Sequence, residues 1–423
     1  MRLVYKFNNS EHNDELFRLC RISKDLYNQA LYLIKTNLKN ENRFTFYSEL
    51  EKVLKDTVNI EGEINYRKLK IQVSQQCLRQ LDKNIKNYIK AIKDYSINKE
   101  KYNGMPKLPS YKKKNGYNQL IYTNQCSSIR DGKIVLSKNI SIKIPQWEEY
   151  KDVISRFQQI RVNPKNGYTE IEIVYENEEQ CNTDLDYKRF ASIDLGMNNL
   201  VTMVTDFSEP VIYSGRQIKS KNRHFNKEIA RLKGLAQTNN NKKSTKQILR
   251  IWDKRERQMD DIMHKVSRHI VNMLVENNVG NLIIGHNSGW KDSIGIGKVN
   301  NQNFVMVPFD KIISFLRYKC EMVGITFVEN EESYTSKCDA LAMEPICRHS
   351  DYLGKRVKRG LFQSSVGKAI NADVNGALNI MRKVVGDSVA RLIANSGRLF
   401  RPMKFNNLYC LKGVEVHKQF LSK

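Results

Sequence analysis

At 423 residues the chain is long enough for two or three domains and at least one sizeable core, and 40% hydrophobic residues exclude a disordered protein. Its 71 Lys and Arg against 45 Asp and Glu leave a net charge of +26, which makes a polyanion, above all nucleic acid, the expected partner. The abundance of Lys, Asn and Ile, the signature of an AT-rich genome, is the competing source of that charge. No run approaches the ~20 apolar residues of a membrane span, and Met1–Tyr5 reads as a strand rather than a signal peptide, so a cytoplasmic protein is expected. The eight cysteines are scattered without CxxC pairs, which suits reduced thiols.

In chain order, residues 1–10 alternate as a strand. Residues 11–103 turn helical, with Leu26, Leu31, Leu33 and Ile34 and later Val73, Leu78, Leu81, Ile85 and Ile89 at helical spacing. Lysines fill the far face of the last of these helices. Gly104–Pro109 breaks the pattern, and Lys112, Lys113, Lys114 and Tyr117 form a basic loop with an aromatic suited to nucleic acid. Short alternating runs at 133–136, 140–144 and 169–175 predict antiparallel strands of a small barrel, joined by the N-terminal strand. The acidic stretch Glu176–Asp186 reads as a linker.

From residue 188 apolar strands alternate with helices, which predicts a mixed α/β sheet. Strands are expected at 190–194, 201–205, 211–213, 282–285 and 325–328. Met259, Ile262, Met263, Val266 and Ile270 follow the rule for an amphipathic helix. The helical stretch before it has a basic face that includes Arg223, Arg231, Lys242, Lys243 and Arg250. Gly295–Lys298 is expected to be a flexible lid, because a phosphate loop needs a strand before it and a helix after it. Residues 386–423 are placed only as an extension.

Two segments carry the chemistry, Ala191-Ser192-Ile193-Asp194-Leu195-Gly196 and Ile370-Asn371-Ala372-Asp373-Val374-Asn375-Gly376-Ala377-Leu378. Each sets one aspartate beside an apolar run and a small or amide residue, which is how a buried sheet offers a carboxylate to a divalent metal. Phosphodiester hydrolysis needs an activated water and charge relief on the leaving oxygen, which two ions about 4 Å apart supply together. Magnesium prefers oxygen ligands. A nuclease of the RNase H type would carry a third carboxylate on a strand between the two, yet Leu282-Ile283-Ile284 ends in Gly285.

Asp194-Leu195-Gly196-Met197-Asn198-Asn199-Leu200, His264-Lys265-Val266-Ser267-Arg268, Ser333-Tyr334-Thr335-Ser336-Lys337 and Asp373-Val374-Asn375-Gly376-Ala377-Leu378-Asn379-Ile380 together resemble the transposon-encoded TnpB family, related to the miniature type V CRISPR effectors. The resemblance implies an α/β and α+β multidomain protein: a RuvC-like (RNase H type) nuclease domain over 187–423, a wedge-like β-barrel from 1–10 plus 104–186, and an inserted helical recognition domain over 11–103. A monomer or homodimer would bind a guide RNA and two Mg²⁺, recognise a short flanking motif and cleave target double-stranded DNA. The family's middle carboxylate normally ends the strand that here ends in Gly285. A subgroup with a rearranged second motif has glutamates before Ser-Tyr-Thr-Ser, so Glu332 is the first choice for that role and Glu331 the second, against a solvated acidic turn.

Two other readings stay open: a nuclease-dead RNA-guided repressor, and a guide-free structure-selective nuclease. The family's zinc ribbon is reduced to Cys338, Cys347 and His349 within an insertion at about 333–369, so no zinc is expected. Asp339 and Glu344 are weaker acidic candidates, and a lone His286 is more often structural than a ligand.

Overall fold

In the computed structural model, which describes residues 1–177, 184–240, 244–287 and 297–411, contacts divide the chain into Met1–Glu178 and Glu179–Lys423. The first unit opens on β1 (Arg2–Asn9), whose burial alternates residue by residue as the pleat requires. Then follow α1 (Asn13–Glu41), α2 (Tyr47–Leu54) and α3 (Ile71–Ile97). Leu16, Cys20, Tyr27, Leu31 and Ile34 line the buried stripe of α1, and Val73, Cys77, Leu81 and Ile85 that of α3. Lys83, Lys86, Lys90 and Lys93 stay exposed on the other side of α3.

Next come β2 (Leu120–Thr123), β3 (Ser128–Arg130), β4 (Lys133–Ser137), β5 (Ile140–Lys143), α4 (Trp147–Ile154), β6 (Phe157–Pro164) and β7 (Thr169–Glu176). They build two antiparallel sheets, ordered β1-β7-β6-β2 and β3-β4-β5. A single hydrophobic cluster runs from Leu16, Leu31 and Leu81 of the helices to Ile134, Ile142, Ile160 and Ile173 of the strands. Helices and strands of this unit therefore share one core.

The second unit contains β8 (Asp186–Leu195), β9 (Asn199–Thr205), β10 (Val211–Ser214), α5 (Arg216–Asn240), α6 (Lys246–Glu276), β11 (Val279–Gly285), α7 (Lys298–Val305), α8 (Phe309–Val323) and β12 (Thr326–Asn330). It continues through β13 (Lys355–Lys358), β14 (Leu361–Gln363), β15 (Ala369–Asn371), α9 (Ala372–Val385), α10 (Asp387–Asn395) and β16 (Met403–Phe405). The main sheet has the order β12-β11-β8-β9-β10-β16. β8, β9 and β10 are antiparallel in turn, β11 and β12 run parallel to β8, and β16 runs parallel to β10. The stretch after 386 thus adds an edge strand to this sheet.

Both faces of the sheet are covered, so its central strands are apolar almost throughout. Ile193, Met203, Leu282 and Ile284 pack under α6 and α8 with Met259, Ile262, Val266, Phe309 and Leu316. The alternate residues Val204 and Ile283 pack against Val374, Ala377, Leu378, Ile380 and Met381 of α9. Each such Leu or Ile, fully buried, contributes roughly 1.5–3 kcal/mol. This alternation decides which strand residues look towards α9, and hence where the candidate carboxylates point.

The expected lid needs one correction. A helix does follow Gly297, which has φ 89° at the N-cap of α7. Gly295 and Ile296 lie outside the described residues, as do Lys242 and Lys243 and most of the acidic linker. No helix among the described residues is long and apolar enough to cross a membrane. The described cysteines are all free.

Candidate active site

β8 and β11 pair with Ile193 opposite Ile284, and β11 and β12 with Gly285 opposite Asn330. The strand ends Asp194, Gly285 and Asn330 therefore come level at one edge of the sheet. Ser192, two residues before Asp194 and on the same face, donates to the Ala377 carbonyl of α9 at 2.7 Å. Asp194 accordingly faces the helix that brings Asp373.

α9 starts where it does because Asn371 caps it: its side-chain oxygen accepts from the Asp373 N–H at 2.9 Å and the Val374 N–H at 3.3 Å. Asp373 then sits in the first turn, where the helix dipole favours a carboxylate. Asn199 donates to Asp373 Oδ2 at 2.7 Å, and Arg356 stands 3.4 Å from Oδ1. One turn along, a Cβ on Gly376 would lie 3.1 Å from Asp194 Oδ2. Glycine is what lets the helix close onto that carboxylate.

Gly285 stands in a similar relation to Glu332. A Cβ at 285 would meet Ile380 Cδ1 at 2.4 Å and Glu332 Oε2 at 3.1 Å. Glycine at 285 thus leaves Ile380 of α9 its place, and the Glu332 carboxylate reaches within contact distance of where a side chain at 285 would begin. Glu332 is held by its backbone: its N–H donates to Asn287 Oδ1 at 3.0 Å, and its carbonyl accepts from the Thr335 N–H and hydroxyl at 3.2 and 2.7 Å. Asn379 of α9 in turn donates to the carbonyls of Thr335 and Cys338, at 2.9 and 2.8 Å, and Asn375 donates to that of Cys338 at 2.8 Å. Both asparagines are fully buried.

Glu331 points elsewhere. Its side chain is 66% exposed, pairs with Lys383 at 3.7 Å and accepts from the Ser333 hydroxyl. Glu329 pairs with Arg317 and faces His286. His286 also approaches Asp310, at 3.9 Å.

Burial, then the charges of Asp373 and Glu332, push the Asp194 carboxyl well above the usual range. Burial pushes Glu332 up to about 7, with Lys383 opposing and Glu331 adding to the shift. Asp194 thus feels the charge of both other carboxylates in a poorly solvated edge. Among the described residues no three His, Cys, Asp or Glu side chains are already gathered to hold a metal ion.

The surroundings nonetheless suit a hard cation with its waters. The donors are carboxylate oxygens, and glycines leave room beside Asp194 and Glu332. Thr202, which pairs with Asp194 across the ladder, and Asn330, opposite Gly285, keep a buried Oγ1 and Nδ2 without hydrogen-bond partners among the described residues. Buried polar atoms of this kind are ordinarily satisfied by water or ligand.

A cleft of about 680 Å³ opens at Asp373, lined by Arg216, Lys219, Arg356, Arg359 and Lys404 among others. Sequence reasoning missed these cations. The only advance sign was the basic run Lys355-Arg356-Val357-Lys358-Arg359. Asn199, Asn375 and Asn379, also missed, stood inside the quoted motifs but take their roles from contacts distant in sequence.

The insertion after Thr335 is organised by carboxylates. Buried Asp339 accepts from the Ser364 hydroxyl and the Ser365 N–H at 2.8 Å and from the Leu341 N–H at 3.1 Å. Buried Glu344 accepts from the N–H groups of Asp339 and Leu353, at 2.6 and 2.9 Å. These two belong to the insertion's own hydrogen bonding. The Cys338 thiol donates to the Cys347 carbonyl at 3.6 Å, and Cys347 Sγ lies 3.4 Å from His349 Nε2.

Of the basic candidates, Lys113, Lys114, Arg223 and Arg250 are exposed. Arg231 is exposed but paired with Glu228 at 2.6 Å. Lys112 is half-buried with its ammonium over Tyr27, 4.9 Å from the ring centroid. The Tyr117 ring packs on Phe17 at 5.0 Å under the guanidinium of Arg21, so its faces are engaged within the unit.

Comparison with known proteins gives a consistent pattern. The family model described as a probable transposase matches residues 172–291, and the one described as Cas12f1-like, TNB domain matches 309–380. The TnpB-like protein ORF457 of Acidianus two-tailed virus is 26% identical over 239 residues, 53% of this chain and 48% of that protein. The CRISPR-associated endodeoxyribonuclease Cas12f1 of Sulfoacidibacillus thermotolerans is 26% identical over 273 residues, 61% of this chain and 59% of that protein. The matches thus span about half to three-fifths of these relatives. The solved structure of the mini-RNA-guided endonuclease CRISPR-Cas_phi3 covers 93% of both chains with a TM-score of 0.50 at 10% identity, a likeness of fold.

Proposed function

We propose, on the premise that the chain is a TnpB-family relative akin to the miniature type V effectors, that it is an RNA-guided DNA endonuclease. In this reading the second unit is an RNase H-type (RuvC-like) nuclease, and Asp194, Glu332 and Asp373 hold two Mg²⁺. The observation that carries the reading is the meeting of Glu332 with Gly285: the carboxylate missing from the end of β11 is matched by one entering the same space from beyond β12.

Bound there, the ions would supply an activated water and charge relief on the leaving oxygen. The chain's own residues do the positioning. Asn199 and the capped first turn of α9 orient Asp373. The Thr335 turn, clamped by Asn379, orients Glu332. Arg356 stands beside Asp373, where a guanidinium can meet a phosphate oxygen.

Base pairing between guide RNA and one target strand would select the sequence, and the protein would read a short flanking duplex motif. Exposed Lys113, Lys114, Arg223 and Arg250 would hold backbone phosphates, a contribution that weakens steeply with salt. The test is to purify the protein, sequence the RNA that comes with it, and challenge matched and unmatched DNA with Mg²⁺. Guide-matched cutting is expected. Absence of a discrete RNA would overturn the guided reading, and bound RNA without cutting would favour a repressor.

A further inference from the structure

The cleft at Asp373 has a composition that metal binding does not use. Apart from Asp373 itself, which belongs to the proposed metal site, it holds no carboxylate. Four further cations surround the space: Arg216 and Lys219 from the first turn of α5, Arg359 from the β13–β14 turn, and Lys404 from β16. None of the four has a carboxylate partner among the described residues. Among the described residues the Lys219 ammonium bonds the neutral amide oxygen of Asn198, at 2.8 Å.

Their gathering is built into the fold. A Cβ on Gly215 would fall 2.3 Å from the Met197 carbonyl, so only glycine lets the start of α5 lie against the β8–β9 turn. The Gly215 N–H donates to the Asn198 carbonyl at 2.7 Å and fixes that contact. The 25-residue helix therefore opens at the cleft, with the positive end of its dipole added to the side chains. Burial, then Arg359 and Arg216, lower the pKa of Lys219, the mark of cations crowded without an anion between them. At about 680 Å³ the space suits a nucleotide unit rather than a bare inorganic ion.

We propose that this cleft binds the backbone phosphate next to the scissile one in a single DNA strand, through Arg216, Lys219, Arg359 and Lys404, a refinement that rests on the nuclease reading. Because the cleft meets the carboxylates only at Asp373, the strand is held on one side of the site.

The test uses the full chain carrying Asp194→Ala, and a labelled single-stranded DNA oligonucleotide titrated at several salt concentrations. Arg216→Ala with Lys219→Ala is expected to weaken binding by about tenfold or more and to flatten the salt slope by up to about 0.7, the share of one phosphate in a single strand. Lys404→Glu, exposed on a short edge strand, carries the same expectation for affinity without disturbing packing, so it decides the matter where the double variant melts early. An oligonucleotide with one neutral methylphosphonate linkage, moved along the strand, is expected to bind more weakly at one position in the parent and not in the variants. Unchanged affinity and slope overturn the proposal. An RNA strand of the same sequence that binds as tightly, with the same dependence on these residues, also overturns it and gives the cleft to RNA. Failure of guided cutting with oligonucleotide binding intact sinks the nuclease reading and leaves the cleft standing.

Discussion

The ends of β8 and β12 each bring a carboxylate to the same end of the sheet, by different means. Asp194 is part of its strand, its direction set by the pleat and by the Ser192 bond to α9. Glu332 lies two residues past its strand, in a turn whose carbonyls are gripped by two buried asparagines. One is aimed by sheet geometry and the other by side-chain hydrogen bonds. The proposed metal site requires position in space rather than position in a strand, and the glycine ending β11 leaves the room.

The comparison breaks most sharply at the glutamates. Glu332→Gln should reduce DNA cutting by more than about 100-fold, beyond the ~10–100-fold typical of outer-shell partners, while guide and DNA binding persist. Glu331→Gln, changing an exposed group paired with Lys383, should leave the rate within a few-fold. Cleavage rates of the two variants side by side decide it, and the reverse order would transfer the role to Glu331.

Returning the carboxylate to the strand is expected to fail. Gly285→Glu in a Glu332→Gln background should not restore cutting and should cost roughly 1–3 kcal/mol of stability, because Ile380 occupies the first ångströms of its path. Rescue of activity there would show that the two positions are interchangeable. Gly376→Ala, crowding Asp194 Oδ2, should lower cutting with little loss of melting temperature.

The clamp comes next. Asn379→Ala should cost about 1–3 kcal/mol by leaving buried carbonyls unpaired, and should reduce cutting more than a packing variant of equal stability on α10. Equal losses would mean that the asparagine holds the helix and not the glutamate.

The smallest effect lies beneath the sheet. Lys319 is buried on α8, donates to the His264 carbonyl and Ser267 hydroxyl, and is pushed down to about 7 by burial and Arg268. Between pH 7 and the lysine's ordinary ~10.4 the unfolded chain binds a proton that the folded one does not, so stability should rise with pH across that window and level off below 7. Lys319→Met should remove that slope in chemical denaturation.

Much of the second unit was legible because its strands are buried on both faces and read as apolar runs, as at 190–194 and 282–285. The same held for α6, with Met259, Ile262, Val266 and Ile270 in helical register. Asp194 and Asp373 stood out because each interrupts such a run. The strands β13 to β15 did not: Lys355–Lys358 is exposed at every position, so no periodicity marks it. In the first unit β6 and α4 were likewise unread, and the shared core of helices and strands is a long-range property. Glu332 was visible only as an answer to the oddity of Gly285. The contacts that place it, Gly285 against Ile380 and Asn379 on the Thr335 carbonyl, form through folding alone.

The turn at Glu332 also limits how this protein can be recombined with its relatives. Here the polypeptide that leaves Glu332 is laced to α9 within six residues, at Thr335 and Cys338. A chimaera spliced at the end of β12 would trade away the glutamate and its fastening together. The lacing continues to Ala340, whose N–H donates to Asn375 Oδ1 at 3.0 Å, so changes in the insertion's root reach the proposed metal site.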